Sequence, residues 1–120
     1  MKMIITNLKD FKPFKAVDGS EIVETIGLKT TGTKEISLAR AVVKPNSKTL
    51  EHNHTFLEIY LIEQGNGQIK INSKIKDIRK GDSILIPKKS WHTVENTGKK
   101  DLLIWCVCKP AFSEYYTEIK

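Results

Sequence analysis

Apolar and polar side chains alternate along this chain in short runs, each closed by turn residues, which is the pattern of half-buried β-strands and not of amphipathic helices. The runs cover residues 21–26, 35–43, 56–63, 68–71, 75–78, 83–86, 92–95 and 102–108. Between them lie Thr31-Gly32, Pro45-Asn46, Gly65-Asn66-Gly67, Lys80-Gly81-Asp82 and Asn96-Thr97-Gly98, residues that supply left-handed or pre-bent backbone at turns. Many short strands at this spacing predict an all-β sandwich or barrel. No segment holds apolar residues at a period of 3.6 over three turns. The one helical expectation is the tail, where Pro110 suits a helix start and Ser113-Glu114-Tyr115-Tyr116 suits a turn or two.

The length of 120 residues predicts one domain spanning residues 1–120, with an N-terminal arm at about 1–17. No run approaches the roughly 18 apolar residues of a membrane span, and the apolar stretch near the start stops at Asn7 with no cleavage pattern after it, so the expectation is a cytoplasmic protein. The net charge of +6 is carried by lysines scattered from Lys2 to Lys120, without the block or stripe that nucleic acid binding would need. Neither nucleic acid nor membrane is therefore an expected partner. The two cysteines, Cys106 and Cys108, stand two apart in an apolar run, where extended α-carbons lie roughly 6.5–7 Å apart, too far for a comfortable disulfide. They read as buried thiols.

Candidate chemistry concentrates in the histidines. All three fall into one pattern, with His52 and His54 at a strand entrance, Glu58 four residues on, and His92 opening a later strand after a proline turn. Read as one extended segment, positions 52, 54 and 58 share parity and project from one face. A histidine at a turn is commonly a surface residue, and a His-x-His pair also occurs on exposed loops. Glu58 is harder to explain that way, because it lies within Phe56-Leu57-Glu58-Ile59-Tyr60-Leu61-Ile62, where a carboxylate without a cation or donors is costly. Three imidazoles and a carboxylate suit a divalent first-row metal with two positions left open.

These residues carry a family resemblance. His52-Asn53-His54-Thr55-Phe56-Leu57-Glu58, followed after six residues by Gly65, resembles the first motif of the cupin superfamily, HxH(x)3E(x)6G. Gly81, Pro87, His92 and Asn96 resemble the second, G(x)5PxG(x)2H(x)3N. Two family glycines are replaced by Asn46 and Lys89, and because Lys enters left-handed backbone reluctantly, the turn at 87–91 is expected to differ in shape. Asp18-Gly19-Ser20-Glu21-Ile22 and the segment from Cys106 to Ser113 are similar to small single-domain cupins described as mannose-6-phosphate-isomerase-like.

The resemblance implies a jelly-roll (double-stranded β-helix) barrel holding one divalent transition metal: iron, manganese, zinc or nickel, with cobalt or copper also compatible. The metal ligands would be His52, His54, Glu58 and His92; from its parity with Glu58, Tyr60 is expected to point inward as a donor, a pocket wall or plain core, and Arg40 is a pocket residue if its strand faces the site, a solvent-facing arginine being the commoner case. It implies an isomerase, decarboxylase or dioxygenase acting on a small, anionic metabolite, and equally allows a non-catalytic binding or sensing module. Asn96 is expected to hold a turn. Leu57, Ile59 and Leu61, on the strand face opposite Glu58, predict an apolar outer surface and hence a homodimer.

Overall fold

A computed structural model describes residues 2–120, so Met1, the first residue of the expected arm, lies outside the described residues. Eleven strands form: β1 (Phe14–Lys15), β2 (Glu21–Ile26), β3 (Ser37–Val43), β4 (His52–His54), β5 (Leu57–Gln64), β6 (Asn66–Ile71), β7 (Lys74–Arg79), β8 (Ser83–Ile86), β9 (His92–Asn96), β10 (Leu102–Lys109) and β11 (Thr117–Ile119). Among the described residues there is no α-helix, only 3-10 turns at Leu8–Asp10 and Glu114–Tyr116. Among the described residues no helix is long and apolar enough to cross a membrane.

The strands pair antiparallel throughout, in a six-stranded sheet ordered β1-β2-β3-β10-β5-β8 and a five-stranded sheet ordered β11-β4-β9-β6-β7. The two sheets face each other as a jelly-roll barrel. Its core comes from the inward positions of the period-two pattern, such as Ala39, Ala41 and Val43 of β3, Ile62 of β5, Val94 of β9 and Leu102 and Ile104 of β10. At roughly 25 cal/mol per Å² of apolar surface, each large buried side chain in this set contributes about 1.5–3 kcal/mol, which orders the strands without help from helices.

Turn chemistry fixes where strands end. Gly65 joins β5 to β6 at φ +98°, and a Cβ there would stand 3.0 Å from the Asp101 carbonyl oxygen and 3.1 Å from the Leu102 Cα, so both conformation and space demand glycine. Asn96, fully buried, donates from Nδ2 to the carbonyls of Val43 and Lys100 at 2.8 Å each and accepts from the Gly98 amide at 2.9 Å. It ties β9 to the end of β3 and holds the turn after it, as expected.

Lys89 sits at φ 61° and Asn46 at φ 62°, so left-handed backbone is kept at both replaced glycine positions. The conformation is held by the Lys89 amide, which donates to the His54 carbonyl at 2.6 Å and so brings the loop carrying His92 against β4. In the tail the expected turn forms as a 3-10 helix at Glu114–Tyr116, capped by Ser113 and not started at Pro110. After that turn the chain becomes β11, which pairs with β4 at Thr117↔His54 and Ile119↔His52.

Candidate metal centre

The histidines and Glu58 converge from opposite sheets. His52 and His54 lie on β4 and His92 on β9, with His52 paired directly across from His92, whereas Glu58 lies on β5 of the other sheet. The shared parity of 52, 54 and 58 therefore reaches the correct meeting point for an incomplete reason: the chain turns a corner at Thr55-Phe56 and changes sheet between the His pair and the carboxylate. Phe56 is buried at that corner, stacked on the His54 ring with centroids 4.2 Å apart.

Each imidazole is held by its Nδ1. His52 Nδ1 lies 2.7 Å from the Leu50 carbonyl and His92 Nδ1 lies 2.9 Å from the Ser90 carbonyl. A carbonyl only accepts, so both Nδ1 atoms carry the proton. His54 Nδ1 lies 2.9 Å from Thr117 Oγ1, whose own proton goes to the Ser113 carbonyl, so this Nδ1 also donates. The result is three Nε2 lone pairs aimed inward. The three histidines offer ligand atoms lying within 4.8 Å of one another.

Those lone pairs meet another acceptor. Glu58 Oε1 lies 3.5 Å from Nε2 of both His54 and His92, and Glu58 Oε1 and His92 Nε2 are buried without a hydrogen-bond partner. Unsatisfied buried polar atoms of this kind cost about 1–3 kcal/mol each. At His54 a bridging proton is disfavoured, because burial first, and then the proximity of the other imidazoles, pulls its pKa down to about 2, and burial first lowers that of His52 as well. A metal cation placed between the Nε2 atoms and Oε1 would satisfy both. Separations of 3.5 Å are shorter than twice the roughly 2.0–2.2 Å bonds that nitrogen and oxygen ligands make to zinc-like ions.

The remaining carboxylate oxygen has a fixed partner. Cys108 Sγ donates to Glu58 Oε2 at 3.3 Å, leaving Oε1 as the oxygen facing the imidazoles. Burial, and then the Glu58 charge, pushes both cysteine thiols upward in pKa, so they remain protonated. Cys106 and Cys108 are free thiols, as expected. Tyr60 points inward, two residues from Glu58, and burial raises its phenol pKa as well.

Arg40 does not belong here. On β3 the inward positions are Ala39 and Ala41, so Arg40 faces the outer surface, 3.7 Å from Glu63, which also accepts from Trp105 Nε1 at 2.7 Å. The expectation of Arg40 as a pocket residue is overturned by the strand's register. Asp18, Cys108 and Thr117 are among the lining residues that were missed. With His52, His54, Glu58 and Tyr60 they line part of a cavity of about 40 Å³. At roughly 10–15 Å³ per water it admits a few waters or a ligand of a few atoms.

The same architecture recurs in known proteins. The chain is 40% identical over 120 residues to the protein MJ1618 of Methanocaldococcus jannaschii, covering 99% of this chain and 96% of that one. The plu4264 protein of Photorhabdus luminescens superposes with a TM-score of 0.74 at 27% identity, over 91% of this chain and 88% of that chain. A predicted oxalate decarboxylase of Thermotoga maritima superposes with a TM-score of 0.77 at 25% identity, over 89% and 99%. Residues 39–108, which include both motifs and all four converging side chains, match the Cupin_2 family, the cupin domain. The chain belongs to the cupin family.

Proposed function

We propose that this cupin is a metal-dependent enzyme for a small anionic metabolite, with one divalent transition metal held by His52, His54, His92 and Glu58. The observation that carries this reading is the set of inward Nε2 lone pairs facing the unpartnered Glu58 Oε1 in a buried site. Iron, manganese, zinc and nickel, and also cobalt or copper, suit such nitrogen and oxygen donors. When bound, the ion supplies Lewis acidity, an acidified water or, for a redox metal, a place for dioxygen. The protein's own part is to exclude water with Phe56 and Phe112 beside His54 and to offer the protonated Tyr60 phenol as a donor to a ligand oxygen. The cavity size favours small acids, in keeping with the oxalate for which the Thermotoga neighbour is named.

A second reading, a non-catalytic binding module, draws on one fact: all three histidines are in the cluster, leaving none to shuttle protons. Turnover in a screen of small hydroxy and keto acids separates the two. For the metal itself, elemental analysis of protein purified without chelating resin should find close to one ion per chain, and far less in His52→Ala and Glu58→Ala. Equal metal content in all three would remove these residues as ligands.

We also propose that the outer face of the six-stranded sheet packs against a second copy of the chain. Ile59, Leu61 and Leu85 are 42%, 45% and 59% exposed there, and an apolar sheet face of this kind is normally covered. Light scattering at micromolar concentration should return about twice the 13.6 kDa chain mass. A monomer mass would refute the dimer.

A further inference from the structure

A second carboxylate, which neither motif includes, lines the same cavity as Glu58. Asp18 lies in the turn between β1 and β2, where the Gly19 amide donates to the Ala16 carbonyl at 2.9 Å. Its Oδ1 accepts from both the amide and the hydroxyl of Ser20, at 2.9 and 2.7 Å. With one oxygen so engaged, the other is aimed: Oδ2 lies 3.5 Å from His52 Nε2, and the side chain is only 14% exposed.

Here too an imidazole Nε2 faces a carboxylate oxygen at 3.5 Å. His52 Nδ1 holds its proton against the Leu50 carbonyl, so Nε2 presents a lone pair to a carboxylate oxygen. The turn is also tied to the ligand strand itself. The Leu50 amide donates to the Asp18 carbonyl at 2.7 Å while the Leu50 carbonyl receives the His52 Nδ1 proton, so one residue sets both side chains in register. Asp18 lines the cavity together with His52, His54 and Glu58.

We propose that Asp18 is a fifth protein donor to the metal, supplied by the N-terminal turn. This rests on the four-ligand site proposed for the metal and extends it. Two carboxylates would neutralise a divalent ion, and five protein donors would leave a six-coordinate ion one position for a ligand.

Cobalt(II) is the probe, because its visible absorption reports coordination number and ligand type while titration gives affinity without any turnover. Wild type, Asp18→Asn, Asp18→Glu, Ser20→Ala and His92→Ala are compared, with metal-free melting curves to verify folding. Asp18→Asn keeps an oxygen for the Ser20 donors but loses the anionic ligand. It should bind cobalt(II) at least about tenfold more weakly, with a changed visible spectrum. Asp18→Glu should recover part of the affinity, and Ser20→Ala, which removes one of the two hydrogen bonds that aim Oδ2 and keeps the other, should weaken binding by less than Asp18→Asn does. An Asp18→Asn protein with wild-type affinity and spectrum overturns the proposal while leaving the four-ligand site intact. So does a Ser20→Ala protein that loses as much as Asp18→Asn, since the turn and not the oxygen would then matter. Should Asp18→Asn fail to fold, an Asp18→Glu protein that is folded and spectrally identical to wild type overturns it too. Cobalt(II) binding by wild type no stronger than by His92→Ala overturns the four-ligand site itself.

Discussion

Glu58→Gln is expected to make the metal-free protein more stable and to abolish its stabilisation by metal. In the wild type, Glu58 Oε1 faces two imidazole nitrogens that have no proton to give, at 3.5 Å each. A glutamine amide placed there would donate N–H to His54 or His92 Nε2, and its oxygen would still accept from Cys108 Sγ. Converting an acceptor clash into a hydrogen bond in a buried site is worth about 1–3 kcal/mol. For a domain of this size that raises the melting midpoint by roughly 5–10 °C. Wild type should overtake the variant once metal is added. At free metal a thousandfold above Kd, binding to the folded state alone adds about 4 kcal/mol, or roughly 15 °C. Scanning calorimetry of both proteins, with chelator and with manganese(II), reads the two effects separately. A wild-type midpoint indifferent to manganese(II), or a Glu58→Gln protein that melts below wild type in chelator, would show that Glu58 is not held against the imidazoles as described.

Most of the scaffold was legible because β-strands write their exposure into the sequence with a period of two. The runs at 21–26 and 83–86 coincide with β2 and β8, and the others differ from the observed strands by a residue or two at their ends. What escaped was decided by partners distant in the chain. β4 has only three residues and pairs with β9 and β11, so nothing local marks it as a strand of a different sheet from β5. The tail misled because Pro110 and Ser113 do mark a turn, while the β-forming run Tyr115-Tyr116-Thr117-Glu118-Ile119 was the better signal for the strand that closes the chain. That His52, His54, Glu58 and His92 come together was readable from spacing. Asp18, Cys108 and Thr117 were not, since each reaches the site by a fold-level approach: 34 residues separate Asp18 from His52, and the Cys108 and Thr117 bonds span 50 and 63. Arg40 shows the converse, where a chemically apt residue fell on the wrong face of its strand by a single step of register.

The metal-free protein should also lose stability steadily as pH falls from about 6.5, well before ordinary carboxylates titrate. The folded site lowers the His54 pKa from its usual 6.5 to about 2, through burial first and then the charges that His52 and His92 would carry, and it lowers His52 in the same direction. In the unfolded chain these imidazoles take up protons near pH 6.5, whereas in the folded chain they do not. Below that pH the unfolded state therefore binds more protons, and stability falls with falling pH until the folded pKa is reached. His54 alone accounts for about 2 kcal/mol lost by pH 5 relative to pH 7, and His52 adds to it. Above pH 7 both states are neutral at these positions and contribute no slope. The chain has three histidines, all in this cluster, so no histidine elsewhere contributes between pH 5 and 7. Urea unfolding at half-unit pH intervals, in the presence of chelator, measures the slope directly. Replacing His54 by Gln should reduce it by close to one proton's worth, and a wild-type slope of zero or opposite sign across that window would mean that the imidazoles are protonated in the folded protein and cannot present their Nε2 lone pairs to a metal.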